Sequence, residues 1–483
     1  MNNQIAIVWF ALDLRLGDNP ALRRAVETGS AIVPVFVWAP EEEAPWPPGA
    51  ASRWWLHQSL SALEAALNKL GSRLIVRRGP AAEALLRVAA ESGAKAIFWN
   101  RRYEPAVLAR DQKLERCLRE HLDVAVCPGN VLFEPGAIRN SQGGPFQVFT
   151  PFWRACLSQP EPEEPSKAPA QIESPAEWPD SLAISDLRLE PEIDWATGFR
   201  ETWRPGELGA GKQLERFLAG AHESYAAGRN RPDHPGTSRL SPHLHFGEIS
   251  ARQVWHGVRH ATTRSDEAEA YLRELVWREF AYHLLYQFPK TPREPLRPEF
   301  RHFPWRRNAK AFEAWSRGKT GYPMVDAGMR ELWHTGWMHN RVRMIVASFL
   351  VKHLLIPWQE GAAWFWDTLV DADLANNTMG WQWTAGCGAD AAPFFRIFNP
   401  ITQGEQFDPD GAYIRRWLPE LRALPNTWIC KPWLAPPLVL AAADVALGET
   451  YPRPIVEHDS ARRSALAALD VMKTSSERPP KNK

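Results

Sequence analysis

Short apolar runs alternate with amphipathic stretches through the first 130 positions of this 483-residue chain. Ile5–Phe10, Ile32–Trp38, Leu74–Arg77, Ala96–Trp99 and Val124–Val126 are strand-like, and Ala21–Thr28, Ser52–Leu70, Ala81–Ser92 and Ala106–Leu122 carry a helical period between them. Strands alternating with helices at this spacing predict a parallel, doubly wound α/β sheet with ligands at the carboxyl ends of its strands. Residues 157–180 are rich in Pro, Glu and Ser and read as a connector with little capacity to pack. From about residue 205 the pattern is helical, over Lys212–Ala227, Ser250–Ala261, Ser265–Tyr286, Lys310–Gly318, Met324–Thr335, Asn340–Leu355 and Gly361–Asp371. The expected organisation is an α/β domain over 1–130, a connector over 131–204, a large all-α domain over 205–472 and a disordered tail over 473–483.

Composition narrows the function classes. A formal net charge of +1 excludes a uniformly basic coat, so any nucleic-acid site must be a local patch offset by acid elsewhere. The five cysteines are scattered without metal-ligand spacing, and reduced thiols in a cytoplasmic protein are expected, with no metal. The opening residues lack a signal-peptide pattern, and no apolar run is long enough to cross a membrane. No Gly-x-Gly-x-x-Gly follows the first strand, so the usual dinucleotide fingerprint is absent. The 24 tryptophans, against 8 tyrosines, exceed what packing ordinarily calls for and suit ligand stacking or electron movement between rings.

Four constellations carry chemistry. The stretch Asp371–Trp383 (Asp-Ala-Asp-Leu-Ala-Asn-Asn-Thr-Met-Gly-Trp-Gln-Trp) places two carboxylates in a turn and sets Trp381 and Trp383 on different faces. Gly236–Ser241 offers hydroxyls and turn amides to an anionic group, with Tyr225 upstream able to cover it; an ordinary cluster of helix-capping residues is the alternative. Glu274, Trp277 and Arg278 share one helical face and suit a planar heterocycle with hydrogen-bonding edges, or else form a salt bridge beside a core indole. Asn340 and Met344 are four apart on another helix, with Arg341, Arg343 and Arg396 adding charge beside aromatics, as a nucleic-acid backbone and an unstacked base require.

Read in order, Val8–Pro20, Gly236–Ser241, Trp277–Phe280, Gly318–Pro323, Gly336–Arg341 and Asp371–Trp383 resemble the photolyase/cryptochrome family, and within it bacterial cyclobutane-dimer photolyases of the first or third class. The resemblance runs from about residue 5 to residue 470 and implies an antenna-binding α/β domain followed by a helical FAD-binding domain. It implies that Tyr225, Thr237, Ser238, Arg239, Leu240 and Ser241 grip the phosphates and ribityl region of FAD. Arg278, Asp371 and Asp373 would hold the diphosphate, ribose and isoalloxazine surroundings, and Asn377 would stand beside flavin N5. Glu274, Trp277, Asn340, Met344 and Trp383 match the lesion pocket of the cyclobutane-dimer enzymes, whereas (6-4) enzymes carry histidine at the position of Asn340. Trp381, Trp358 and Trp305 match the chain of indoles that photoreduces FAD, and Arg341, Arg343 and Arg396 would contact phosphates flanking a dimer flipped out of single- or double-stranded DNA. A monomer driving light-dependent repair is expected, with a cryptochrome-like blue-light receptor as the alternative.

Two departures bear on the first domain. Ala11 and Leu12 stand where relatives carry arginine and a polar residue. Ala106-Val107 replaces the Asn-Glu pair of one folate-binding mode, which argues against that mode; the expected antenna is a methenyltetrahydrofolate held differently, with a deazaflavin or no antenna as the alternatives.

Overall fold

The computed structural model describes residues 4–261, 266–391 and 395–476. All five expected strands form: β1 Ile5–Phe10, β2 Ala31–Trp38, β3 Ile75–Arg78, β4 Ala96–Asn100 and β5 Asp123–Cys127. They pair in parallel in the order β3-β2-β1-β4-β5. The chain therefore winds outward in both directions from β1, and the switch point lies between β1 and β4. The connecting helices are α1 Pro20–Glu27, α2 Ala50–Lys69, α3 Ala81–Ser92 and α4 Pro105–Leu118. Asn19 caps α1 by accepting the Leu22 amide at 3.1 Å, and proline opens both α1 and α4, where its missing N–H costs nothing. Ile7, Val33, Ile75 and Ile97 from the strands pack with Leu85, Val88, Leu114 and Leu118 from α3 and α4 into one apolar core.

Two compact units make up the chain. The first takes in the chain up to Glu223, Ser238–Pro289 and Val370–Leu374; the second takes in Ser224–Thr237, Lys290–Leu369 and the chain from Ala375. Beyond the sheet, the first unit carries α5 Phe149–Leu157, α6 Ala251–Ala261 and α7 Asp266–Gln287. The second unit is helical, and its longer helices are α8 Pro323–Thr335, α9 Asn340–Ser348, α10 Trp358–Thr368, α11 Leu374–Ala385 and α12 His458–Ser476. No described helix is long and apolar enough to cross a membrane.

Several expected elements are drawn differently. The helix expected over Lys212–Ala227 stops at Leu218, before Gly220, and two short turns, Ala221–Ser224 and Tyr225–Gly228, follow. The helix expected over Asn340–Leu355 is α-helical only to Ser348. It then widens into a π-helical turn over Phe349–His353 and ends where Leu355 takes a left-handed φ of 54°. Ser265 lies outside the described residues, as does the expected tail from residue 477; α12 continues to Ser476.

The Pro/Glu/Ser-rich stretch packs, against expectation. Ser166 and Glu173 accept the amides of Asp18 and Ile32 at 2.8 and 2.7 Å, and the Leu182 amide donates to Val76 at the open edge of β3. Trp178 lies against the sheet core with the Arg73 guanidinium over its ring. Proline-rich chain without helix or strand can still be fixed wherever its carbonyls meet unpaired amides.

The loop after β1 that carries Ala11 and Leu12 is anchored by other groups. Arg15 donates to the Gly247 and Asp18 carbonyls at 2.8 and 2.7 Å, Glu207 accepts the Leu16 and Gly17 amides, and Asp18 accepts from Ser250 and Arg252. Gly247 closes this contact: its φ is +65°, and a Cβ there would sit 2.2 Å from the Leu12 carbonyl oxygen. Gly247→Ala is therefore expected to lower stability by about 2 kcal/mol or more, read as a shift in the urea midpoint at unchanged slope.

Candidate cofactor site and nucleic-acid interface

In the first unit the expected turn forms at Val370-Asp371, and both Asp371 and Asp373 are buried. Asp373 accepts the Tyr282 hydroxyl at 2.5 Å, and His245 Nδ1 lies 3.6 Å away. Burial raises the Asp373 carboxyl, but the nearby His245, the charge of Arg278 and the Tyr282 hydroxyl outweigh it and hold the group below the usual carboxylate range. Arg278 lies one turn before Tyr282 on α7 with its guanidinium 4.9 Å from that ring, and it donates to Glu279 at 3.0 Å. Glu279 in turn accepts the Leu132 and Phe133 amides at 2.7 and 3.2 Å. Arg278 and Asp373 thus lie close enough for their charges to act on one another. Tyr282 and His245, which complete the cluster, were not anticipated, although Tyr282 continues the Glu274–Arg278 face by one further turn.

The Ser238–Ser241 segment is set by side chains behind it. The Ser238 hydroxyl accepts from Tyr271 at 3.0 Å and its carbonyl accepts from Gln213 at 2.7 Å. Arg239 takes a left-handed φ of 52° and stacks over Trp203 at 4.7 Å, while Leu240 is buried. A non-glycine residue held at positive φ costs energy, and such strain gathers at ligand-holding turns. The helix that follows, Ser241–His245, has no side-chain hydrogen bond at its N-cap Leu240, whose amide donates to the Ser238 hydroxyl at 3.4 Å.

On α7, Glu274 and Trp277 are both partly exposed. Trp277 stacks face to face on Phe149 at 3.8 Å and 8°, with Phe280 at its edge, so one face of the indole is backed by protein.

In the second unit Tyr225 is buried beneath Arg229, whose guanidinium lies 5.6 Å from the ring, and Thr237 is partly exposed. The Asn377 amide donates to the Ala362 carbonyl at 3.0 Å. Trp381 and Trp383 diverge as expected: Trp381 is buried and Trp383 partly exposed. Gln382 between them is a bracket unnoticed in the sequence, donating to Thr291 and Glu294 and accepting from Leu296. Trp381 lies edge-on to Trp315 and Phe365 and rests on Gly361, where a Cβ would meet its ring at 2.1 Å. Gly361 sits on the helix that Trp358 opens; Trp358 is buried and Trp305 partly exposed.

Asn340 is exposed and Met344 partly buried, one turn apart on α9. Arg341 donates to Asn230 at 2.6 Å and covers the Phe407 ring at 4.3 Å. Burial, with the charges of Arg229 and Arg396, lowers its guanidinium below the usual value. Arg343 is held by the Met338 carbonyl at 2.7 Å, and Arg396 is exposed.

Two cavities lie at the carboxyl edge of the sheet. One of about 30 Å³ sits at the switch point, beside Asp13 and Asn100. The other, of about 360 Å³, is lined by Trp99, Arg101, Tyr103, Leu108, Gln112 and Tyr286, among others.

Because the Asp373 carboxyl is held low, its contribution to stability is present at neutral pH and is lost as pH falls below about 4, the unfolded value. Asp373→Asn should cost roughly 3 kcal/mol in urea unfolding at pH 7, and the gap between variant and parent should narrow between pH 5 and pH 3.

Comparison with known proteins agrees with this geometry. A family model described as the FAD binding domain of DNA photolyase matches residues 271–471, and one described as DNA photolyase matches residues 6–170. The chain is 50% identical over 471 residues to a deoxyribodipyrimidine photo-lyase of Agrobacterium fabrum, covering 97% of this chain and 98% of that one. It is 42% identical over 482 residues to Cryptochrome-1 of Arabidopsis thaliana, covering 97% of this chain and 70% of that one. Among solved structures, a bacterial class III photolyase from Agrobacterium tumefaciens is similar with a TM-score of 0.95 at 49% identity, over 98% of each chain. With its parallel sheet, its helical unit and these matches along nearly its whole length, the chain belongs to the photolyase/cryptochrome family.

Proposed function

We propose that the protein is a deoxyribodipyrimidine photo-lyase of the class III type, repairing cyclobutane pyrimidine dimers in UV-damaged DNA under blue or near-UV light. The observation that carries this reading is the partly exposed Glu274–Trp277 pair on α7, an acid beside an indole backed by Phe149. It offers a hydrogen-bonding group next to a flat apolar wall, which is what fused pyrimidines present in return.

The donor set fits FAD. Thr237, Ser238 and Ser241 supply hydroxyls and Arg239 a guanidinium on a strained turn, and Arg278 and the buried Asp373 supply charges of opposite sign near one another. Tyr225, Leu240, Asp371 and Asn377 complete the proposed cofactor residues. The chemistry the cofactor supplies when reduced is photoinduced donation of one electron and its recovery, with no net redox change.

Around that chemistry the side chains position and stabilise. Glu274 and Asn340 hydrogen-bond the polar edges of the dimer as negative charge develops there. Trp277, Trp383 and Met344 exclude water from the apolar faces of the lesion. Arg341, with Arg229 and Arg396 near enough to disfavour its charge, forms a patch that flanking phosphates would neutralise, and Arg343 adds to it. Trp381, Trp358 and Trp305 conduct electrons from the surface, in keeping with their passage from buried to partly exposed.

The antenna we assign is methenyltetrahydrofolate, with a deazaflavin as the alternative, and the cavity of about 360 Å³ is the candidate place for it. The enzyme would act as a cytoplasmic monomer on single- or double-stranded DNA. Its 42% identity to a plant cryptochrome makes a blue-light receptor the second reading.

Repair of a single-stranded oligothymidine carrying cyclobutane dimers, under blue light with reductant and against a dark control, separates the two. Light-dependent recovery of thymine absorbance is expected, and Glu274→Ala should lower the repair yield about tenfold, as loss of ~1.5 kcal/mol from one charge-assisted hydrogen bond implies. No recovery from fully reduced holoprotein would sink the repair reading and favour the receptor. Trp381→Phe should abolish photoreduction of oxidised flavin while leaving repair intact when the flavin is supplied reduced; retained photoreduction would remove Trp381 from the electron path.

A further inference from the structure

The acidic strap Pro160–Pro165 lies along α6, and its carboxylates do not all face the same chemistry. Glu161 faces Arg259 at 3.2 Å and Glu163 faces Arg252 at 3.9 Å, both ordinary ion pairs. Glu164 instead faces two imidazoles, His256 Nδ1 at 3.2 Å and His260 Nε2 at 3.3 Å from the same oxygen. The two histidines are four residues apart on one face of α6, with ring centroids 5.8 Å apart.

These separations are those of a coordination shell. Bonds of about 2.0 Å to a tetrahedral zinc ion set neighbouring donor atoms about 3.3 Å apart. The three candidate donors all lie within 4.8 Å of one another. The buried His256 is also oriented from behind, because its Nε2 is 2.8 Å from the Pro162 carbonyl oxygen. A proton on Nε2 donates there, and that tautomer aims the Nδ1 lone pair straight at the Glu164 carboxylate. Nδ1 then meets the carboxylate through either a second proton or a cation. A carbonyl that fixes the tautomer of a histidine is a recurrent feature of metal sites. Glu164 and His260 are exposed, so water can reach the remaining coordination position.

We propose that Glu164, His256 and His260 bind one divalent transition-metal ion, with zinc the best match to two imidazoles and one carboxylate. The ion staples the Pro160–Pro165 strap to α6. It takes no part in photochemistry, and the site is independent of the repair assignment.

The test uses flavin-loaded protein without a histidine tag, stripped with chelator and titrated with Zn²⁺ by calorimetry. Saturation at one ion per chain is expected, together with slower proteolysis of the strap in the presence of Zn²⁺ and a tetrahedral visible spectrum when Co²⁺ is used instead. His260→Ala and Glu164→Gln alter exposed side chains, so they should leave folding and repair unchanged while each weakens Zn²⁺ binding by about tenfold or more. Absence of saturable binding, or equal affinity in both variants, would overturn the site and leave an ordinary imidazolium–carboxylate contact.

Discussion

The first unit is organised around a buried carboxylate that must stay ionised. Asp373 is only 6% exposed, and a charge removed from water to that degree persists only where fixed donors replace the water. The Tyr282 hydroxyl does so, with His245 Nδ1 3.6 Å away and the Arg278 charge nearby, and Arg278 donates to Glu279, whose second oxygen holds the amides of Leu132 and Phe133. The turn at Asp371–Asp373, the face of α7 and the chain leaving β5 are therefore fixed by one connected polar network. Partial satisfaction would be worse than none, which is why each member is placed by a helix or by a second hydrogen bond.

The surplus of tryptophan resolves into different jobs. Trp54 and Trp55 are fully buried, packing edge-on to Phe199 and Trp203, and the Trp55 indole donates to Glu248 at 2.9 Å. Both are core residues, and Trp55 satisfies its single polar atom at Glu248. Trp277 and Trp383 differ because part of each ring faces outward. Trp381 belongs to neither group: it is buried, in contact with other rings, and its place is cut out by the missing Cβ of Gly361. Residue type alone does not separate these roles.

Charge follows the same logic at larger scale. A net charge of +1 leaves room for local concentration of either sign. Arg341 sits where Arg229 and Arg396 disfavour its own charge, a cost that a bound anion would remove. Along the acidic strap most carboxylates have found arginines, and the exception, Glu164, has found histidines.

The sequence by itself determined the element types and the identity of the chemistry-bearing residues. Parallel strands buried between helices must read as apolar runs, and a family's motifs keep their order along the chain. The doubly wound sheet, the helical C-terminal part and the turn that carries Asp371 and Asp373 were all legible in this way. Tertiary structure decided what depends on neighbours distant in sequence. His245 joins Asp373 across 128 positions, and Gln382 brackets Trp381 and Trp383 by reaching carbonyls near residue 291. The Pro-rich strap is ordered by amides it cannot see locally, and α9 ends early in a π-helical turn. Local periodicity reports which face of an element is apolar, while hydrogen bonds to buried charges and to free amides are made only once the elements have packed.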